Sequence, residues 1–269
     1  MVAIAGFSKD QILAAVRQMY TEVATLPSKQ FHFPTGRDAC LFVGYPADWL
    51  DRIPAAAVES FAGVGFPFRA EVICPGDRVL DIGSGSGTDA LIAAGLVGPH
   101  GKVFALDMTP AMLAKLRRNV ASAGAANVEV VEGNAEAIPL PDASVDVVTS
   151  NGVLNLVPDK AKAFAEIFRV LRPGGRVQIA DIVVAQPVSD KARANPKLWA
   201  ECVVGALLEE DYLGLFRAAG LAGVSMLRSY DYFSGSASAD TRKVAAALGA
   251  KAAEISMHRP AGTMRAAAG

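Results

Sequence analysis

The sequence has few of the features that mark secreted, membrane-spanning or nucleic-acid-binding proteins. It holds only three cysteines in 269 residues, with no CxxC pair, so it does not form a disulfide framework. Charged residues make up only 20% of the chain and the formal net charge is −1, so no basic surface indicates a nucleic-acid partner. No apolar run reaches the roughly 18 residues that a membrane span needs. We therefore expect neither a nucleic-acid partner nor a membrane partner.

The N-terminus also lacks a recognisable targeting signal. The segment MVAIAGFSKDQ has no charged n-region and no apolar h-region of signal-peptide length, which predicts a cytoplasmic protein. What the chain does have is hydrophobic residues, at 52%, enough for a substantial buried core. Its length suits one large α/β domain with elaborations, or a core domain with a small lobe.

Strand and helix patterns alternate from residue 76 onward. Strands are predicted from DRVLDI, KVFALD, NVEVVEG, SVDVVTSNG and RVQIADIV, and helices from GTDALIAAGLV, TPAMLAKLRRNVASAG and DKAKAFAEIFRVL. Such alternation indicates an α/β fold with a mainly parallel sheet and helices on both faces. Two further helices, NPKLWAECVVGAL and EEDYLGLFRAAG, then precede the strands VSMLRSYDYF and AAEISMHRP, which we expect to complete a seven-stranded sheet.

The first 70 residues follow a different pattern. Apolar residues recur at helical spacing from Ser8 to about Thr25, and the Pro-, Gly- and aromatic-rich stretch after them predicts loops with short helices near 38–43 and 46–52. We therefore divide the chain into three parts. They are an N-terminal helical cap lobe (1–70), a ligand-binding core (71–185) and a C-terminal part that completes the sheet (186–269).

A glycine-rich loop, GSGSG at 83–87, follows the first strand of the core. Ligands of open parallel sheets bind beyond the carboxyl ends of the strands. Glycine lets the chain turn sharply there and lets a ligand touch the backbone. Asp107 ends the second strand, where a carboxylate can accept both hydroxyls of a ribose. Together these features indicate a ligand that contains adenosine.

Two cofactor types share this arrangement. A dinucleotide favours Gly-x-Gly-x-x-Gly, in which the third glycine permits close helix packing, but the third position here is Thr88. S-adenosylmethionine has no phosphate, and its sulfonium and amino-acid tail favour an acid just before the glycines, which Asp81 provides. The residues favour S-adenosylmethionine and leave a nucleotide-cofactor oxidoreductase as the alternative. A cofactor-binding protein without activity is a third reading, which the intact Asp81 and Asp107 disfavour.

Several longer segments together resemble a known family. VLDIGSGSGTDALIAA, VFALDMTPAML, GNAEAIPLPDASVDVVTSN and VLRPGGRVQIADIV resemble the class I S-adenosylmethionine-dependent methyltransferases. ESFAGVGFPF, LVGPHGKVFALDMTPAML, SNGVLNLVPDK and WAECVVGAL resemble the arsenite methyltransferases within that class. The resemblance covers roughly residues 56 to 220 and implies a Rossmann-like fold with methyl transfer to a small molecule. The acceptor would be arsenite or another thiol-bound metalloid; an organic molecule methylated at O, N or C is the alternative.

The resemblance also implies which residues bind the cofactor. They are Tyr20, Asp81, Gly83, Ser84, Gly85, Asp107, Met108, Asn134, Ala135, Glu136 and Asn151. It sets the methionine part against the acid and glycines that follow the first strand, and the ribose against Asp107. Residues 134–136 would line the adenine, and Tyr20 would close over the cofactor.

The cysteines depart from the pattern of the arsenite enzymes, which have cysteine in SNCVxNL where this sequence has Gly152. Cys202 matches a second family cysteine and Cys40 matches a third in approximate position only, so these two are the candidate catalytic residues. Cys74 precedes the first strand and lies on the wrong side. Because trivalent arsenic prefers three sulfur ligands, metalloid binding would need an external thiol such as glutathione. We also expect glycine at 152 to open space for a larger organic acceptor.

The need for a general base depends on the acceptor. Thiolate-bound arsenic(III) brings its own lone pair and needs no base, whereas a hydroxyl, amine or carbon acid usually does. The candidate bases are Glu59, His32, Tyr20 and Asp211, and the sequence does not choose among them. No metal site is predicted.

Overall fold

The structure is a computed structural model that describes residues 9–188 and 204–262. Within these ranges the helices are α1 (Lys9–Thr25), α2 (Gly36–Val43), α3 (Ala47–Leu50), α4 (Ala55–Val58), α5 (Thr88–Val97), α6 (Pro110–Ser122), α7 (Lys160–Val170), α8 (Glu209–Ala218) and α9 (Ala239–Leu248). The strands are β1 (Arg78–Ile82), β2 (Lys102–Asp107), β3 (Val128–Glu132), β4 (Val145–Asn151), β5 (Leu171–Val183), β6 (Ala222–Tyr230) and β7 (Lys251–His258). Most of the predicted helix NPKLWAECVVGAL lies outside the described residues, and so does Cys202 within it.

The described strands form one seven-stranded sheet in the order β3-β2-β1-β4-β5-β7-β6. Strands β1 to β5 pair in parallel, while β7 runs antiparallel to both β5 and β6. This arrangement confirms the predicted fold, including the final two strands that complete the sheet. Strand β1 pairs with β2 on one side and β4 on the other, so the strand order switches at β1. Ligand crevices of open α/β sheets lie at such a switch point.

Two layers of helices cover the two faces of the sheet. Successive residues of β1 point to opposite faces: Val79 packs with the apolar side chains of α5 and α6, and Leu80 packs with those of α7 and α8. Both residues are fully buried, and full burial of such a side chain is worth roughly 1.5–3 kcal/mol. Strand β6 alternates between half-buried and exposed residues, as expected at the edge of a sheet.

The N-terminal part packs against the core through α1 and the segment 60–70. Helix α1 contacts α6. The backbone N–H of Phe66 donates to the Glu254 carboxylate at 3.1 Å, and that of Ala70 donates to the Gln178 side-chain oxygen at 2.7 Å. Both acceptors belong to the sheet, so the cap lobe is attached to it by hydrogen bonds. The exact division at residue 70 stays a prediction. Among the described helices, none is long and apolar enough to cross a membrane.

Candidate active site

A cleft opens at the carboxyl ends of β1, β2 and β4. Its floor is the glycine loop after β1, and its sides are the start of α6 and residues 133–136. Helix α1 and the segment 60–63 cover it from the N-terminal side. Of the residues predicted to bind the cofactor, all except Asp81 line this cleft, so the fold brings them together as expected.

The glycine loop needs glycine for two different reasons. Gly83 has φ +74°, and a Cβ there would lie 2.2 Å from Cγ2 of Val153, so any side chain is excluded. Gly85 has φ +54°, and a Cβ there would meet nothing closer than the Met112 sulfur at 3.9 Å. The backbone at Gly85 therefore faces open space in the cleft. This bare surface fits a flat nucleoside that lies against the loop.

Asp107 stands beside this bare surface at the end of β2. Its Oδ2 accepts the backbone N–H of Gly85 at 2.9 Å, and its Oδ1 accepts that of Thr109 at 2.8 Å. Burial raises the pKa of Asp107, and these backbone donors oppose the rise by favouring the charged form. Each oxygen keeps a lone pair, so the fixed carboxylate fits the two hydroxyls of a ribose.

Asp81 lies in the wall behind the cleft surface rather than on it. Its Oδ1 accepts the Thr149 hydroxyl at 2.9 Å, whereas its Oδ2 is buried and has no partner among the described residues. Burial raises the pKa of Asp81 to about 6. A buried carboxylate oxygen without a donor favours a nearby positive charge, and S-adenosylmethionine carries two, the sulfonium and the ammonium.

A third buried carboxylate, Asp89 in the first turn of α5, lines the cleft and was missed from the sequence. It accepts hydrogen bonds from the Tyr45 hydroxyl and, at 3.1 Å, from the Asn151 amide. Burial, and then the charge of Asp81, raise the pKa of Asp89 to about 7. The signal was present in the sequence, because an acid in the apolar run TDALIAAGLV needs a reason to be buried.

Asn151 and Glu136 line the cleft, but their polar atoms bind the protein itself. Asn151 donates to the Gly65 carbonyl at 2.9 Å and accepts the Val64 N–H at 2.8 Å, so it fastens the covering segment to β4. Glu136 accepts the Asp159 N–H at 3.0 Å and pairs with Lys9 at the start of α1. These two side chains therefore shape the cleft and hold its cover.

The remaining residues that were predicted to bind the cofactor also line the cleft. Met108, Asn134 and Ala135 line the cleft beside the end of β2. Tyr20 faces the cleft from α1, and its ring stacks on Phe33 at 6.4 Å. The position of Tyr20 suits a cover over a bound ligand.

Comparison with known proteins places this geometry in a family. Residues 73–220, more than half of the chain, match a family model described as a methyltransferase domain. A crystal structure of CrArsM, an arsenic(III) S-adenosylmethionine methyltransferase from Chlamydomonas reinhardtii, superimposes with a TM-score of 0.64. It is 32% identical, and the match covers 84% of this chain and 74% of that one. The chain belongs to the class I S-adenosylmethionine-dependent methyltransferases, in the arsenite methyltransferase-like group.

Curated relatives agree with this assignment. An arsenite methyltransferase of Halobacterium salinarum is 42% identical over 184 residues, which are 68% of this chain and 47% of that protein. A ubiquinone/menaquinone biosynthesis C-methyltransferase of Vibrio vulnificus is 39% identical over 117 residues, which are 43% of this chain and 44% of that protein. The chain thus spans less than half the length of these curated relatives. S-adenosylmethionine is the cofactor of the family, as predicted, and nothing supports the oxidoreductase alternative.

The two cysteines that the structure describes in this methyltransferase-family chain, Cys40 and Cys74, do not line the cleft. Cys40 is fully buried in α2 and does not line the cleft, and burial raises the pKa of its thiol far above the ordinary value. This placement does not support a catalytic role for Cys40. Cys74 is exposed before β1, with its sulfur 3.1 Å from Arg176, at the opposite end of the sheet as predicted. Cys202 lies outside the described residues.

The space beside Gly152 is filled rather than open. Gly152 has φ +73°, and a Cβ there would lie 3.3 Å from Cγ1 of Val64 and 3.6 Å from the Ala62 carbonyl. The expectation that this glycine creates room for a larger acceptor is therefore wrong, because the covering segment occupies that room.

Among the four candidate bases, only Tyr20 lines the cleft. Glu59 pairs with Lys115, and Asp211 is exposed on α8. His32 packs edge-on against Phe33, and burial lowers its pKa to about 4, so the ring is neutral near pH 7. Glu59, His32 and Asp211 are therefore not placed to act as general bases at the cleft.

Proposed function

We propose that this protein transfers a methyl group from S-adenosylmethionine to a small-molecule acceptor. The observation that carries the proposal is the pairing of Gly85 with Asp107, which sets a bare backbone beside a fixed carboxylate at the switch point of the sheet. The unpartnered Asp81 oxygen behind the cleft adds a preference for a positively charged ligand. A pyrophosphate would meet Asp89 and Asp107 in the cleft, with Asp81 buried behind its wall, which disfavours a dinucleotide.

Bound S-adenosylmethionine supplies an electrophilic methyl group on a positively charged sulfur. The chain contributes position and exclusion of water: the glycine loop and Asp107 hold the nucleoside end, and α1 with the segment 60–63 covers the cleft. Holding two reactants at near-attack geometry can be worth roughly 7–11 kcal/mol, so such a site needs few reacting side chains.

For the acceptor, a thiol-bound metalloid such as arsenite is the first candidate, since several proteins of that named activity match the chain. The described cleft residues contain no cysteine, so glutathione or another external thiol would have to share the metalloid with Cys202. An organic acceptor is the second candidate. The largely apolar cleft wall, which includes Leu13, Phe61 and Leu156, favours it. We also propose that the protein is cytoplasmic.

The direct test is incubation with methyl-labelled S-adenosylmethionine and a panel of acceptors that includes arsenite with glutathione. Transfer of label to any acceptor supports the proposal. Tight binding of the cofactor without transfer to any acceptor would favour a binding protein without activity. A thermal-shift comparison of S-adenosylmethionine with NADH tests the cofactor itself, and stabilisation by NADH alone would overturn the proposal.

The metalloid version has its own test in Cys202→Ser, with Cys74→Ser as the control at the opposite end of the sheet. Arsenite methylation should be lost in the first variant and kept in the second. Arsenite turnover that survives Cys202→Ser would exclude the thiol route.

A further inference from the structure

Helix α1 covers part of the cleft, and its two ends are fastened to the rest of the protein in different ways. Its side chains Leu13, Val16 and Tyr20 line the cleft. A ligand held beneath such a cover exchanges with solvent when the cover moves. The contacts at the two ends of α1 therefore bear on how a cofactor enters and leaves.

The C-terminal end of α1 is held by buried polar contacts. The Ser60 hydroxyl donates to the Val23 carbonyl at 2.9 Å. Nζ of Lys115, on α6, donates to the same hydroxyl at 2.8 Å and pairs with the Glu59 carboxylate. Only 7% of the Lys115 side chain is exposed. Because buried charges are screened much less than exposed ones, added salt should weaken these contacts little.

The same segment is also tied to the glycine loop. The Ala57 carbonyl accepts the Ser86 hydroxyl at 2.6 Å and the Thr88 hydroxyl at 2.9 Å. Thr88 stands where a dinucleotide motif has its third glycine, and its hydroxyl joins the start of α5 to the end of α4. Residues 57–60 thus connect α1, α6 and the glycine loop, and we call them the 57–60 anchor.

The N-terminal end of α1 is held by an exposed ion pair. Lys9 pairs with Glu136, which lines the cleft and also accepts the Asp159 N–H at 3.0 Å. The Glu136 side chain is only 6% exposed, whereas that of Lys9 is 44% exposed. Water and salt therefore reach the lysine, and ion pairs of this kind are weak and are screened by salt.

We infer that the Lys9–Glu136 pair is a latch, and that α1 opens from its N-terminal end about the 57–60 anchor when the cofactor exchanges. This inference rests on the proposed function. The contrast between an exposed ion pair at one end and a buried polar cluster at the other selects the end that opens. Opening there would first expose the wall that contains Asn134 and Ala135. Lys9 is accordingly a positioning residue.

A series of substitutions at Lys9 tests the latch through the dissociation rate of S-adenosylhomocysteine, measured by stopped-flow displacement. Lys9→Gln removes the charge and should raise the rate about two- to fivefold, the range expected for a single exposed ion pair. Lys9→Glu should raise it further, because position 9 then repels Glu136. Lys9→Arg keeps the charge and should restore the rate of the unmodified protein.

Ionic strength gives a second readout that a merely structural role for Lys9 would not produce. Salt from about 0.05 to 1 M shortens the range of electrostatic interactions from more than 10 Å to about 3 Å. The ratio of the dissociation rates of Lys9→Gln and the unmodified protein should therefore fall towards one as salt is added. Taking the ratio removes any effect of salt on the cofactor itself.

Two control variants separate the latch from the rest of the cover. Lys29→Gln removes a lysine of similar exposure, 46%, whose partner Glu22 lies on α1 itself, so the dissociation rate should not change. Lys115→Met weakens the 57–60 anchor. It should lower Tm by more than Lys9→Gln does, but its dissociation rate should keep the salt dependence of the unmodified protein, because the latch is intact.

The other outcomes overturn the inference in distinct ways. An unchanged rate in Lys9→Gln would mean that the pair does not hold the cover. An equal rise in Lys29→Gln would mean that loosening either end of α1 releases the cofactor. A ratio that stays constant with salt would exclude an electrostatic latch. If the unmodified protein bound neither S-adenosylhomocysteine nor S-adenosylmethionine, the proposed function itself would fail.

Discussion

The backbone N–H of Gly85 donates to Oδ2 of Asp107 at 2.9 Å, which ties the loop after β1 to the end of β2. The second carboxylate oxygen is held by Thr109 at the start of α6. One acid thus fixes the loop, the strand end and the next helix relative to one another. The cleft owes its shape, and not only its charge, to this residue.

Asp107→Ala should weaken S-adenosylmethionine binding at least about tenfold, which is about 1.4 kcal/mol. The variant removes the acceptor for ribose hydroxyls and releases the Gly85 N–H. Titration calorimetry gives the affinity directly. Asp240→Ala, at an exposed position in α9, should bind as the unmodified protein does. Equal affinity in Asp107→Ala would refute the ribose assignment.

Gly85→Ala should lose cofactor affinity with only a modest loss of stability. The new methyl group would occupy the open space of the cleft rather than strike the protein, and the left-handed backbone adds about 1–2 kcal/mol of strain. Gly124→Ala is the matched control, since Gly124 has φ +61° and nothing within 4 Å of its Cβ position. Both variants should show a similar fall in Tm, but only Gly85→Ala should bind the cofactor weakly. Weak binding by both would mean that strain, and not contact, is responsible.

The sheet and the cofactor end of the cleft could be predicted because local patterns determine them. Strands β1 and β2 are short and mostly apolar, and the glycine loop follows β1 while Asp107 ends β2, by chain order alone. Asp89 was within reach for the same reason, as an acid in an apolar helix. The predicted strand RVQIADIV begins later than β5 does, because Leu171 pairs with Val145 before the Gly174 turn.

The acceptor side depends on contacts between distant segments, which no local pattern encodes. Val64 fills the space beside Gly152 only because Asn151 binds the backbone of the covering segment. The burial of Cys40 likewise follows from how α2 packs, and not from its neighbours GRDAC. Sequence reasoning therefore predicted residues that line one cleft, and it misjudged the space around Gly152.

Asp89 should make the ligand-free protein less stable at pH 8 than at pH 5. Its pKa is about 7 in the folded state and near 3.8 when exposed, so the folded state binds more protons between these values. Stability then falls as the pH rises through that window. The groups that face Asp89 are Tyr45, Asn151, Cys40 and Asp81, and none of them is cationic.

Asp89→Asn cannot titrate and should avoid this loss. Its Tm should exceed that of the unmodified protein at pH 8 by about 2–4 °C, which corresponds to about 1 kcal/mol for a chain of this size. The difference should shrink towards pH 5. Differential scanning calorimetry across this range measures it, with Asp240→Asn as the control. Parallel pH profiles for the Asp89→Asn variant and the unmodified protein would show that Asp89 does not carry the raised pKa.

Gly152→Cys restores the residue type that the arsenite enzymes carry, but the structure opposes it. The left-handed backbone should cost about 1–2 kcal/mol, and the new Cβ would lie 3.3 Å from Val64. Tm should fall by roughly 2–8 °C, and by more than in Gly124→Cys, where the backbone is similar and the space is open.

Because Val64 occupies the space beside position 152, arsenite methylation should rise only when Gly152→Cys is combined with Val64→Ala. A double-mutant cycle on Tm measures the coupling between the two positions. A rise in arsenite turnover with Gly152→Cys alone would mean that the covering segment moves aside, and that Val64 does not control access to this position.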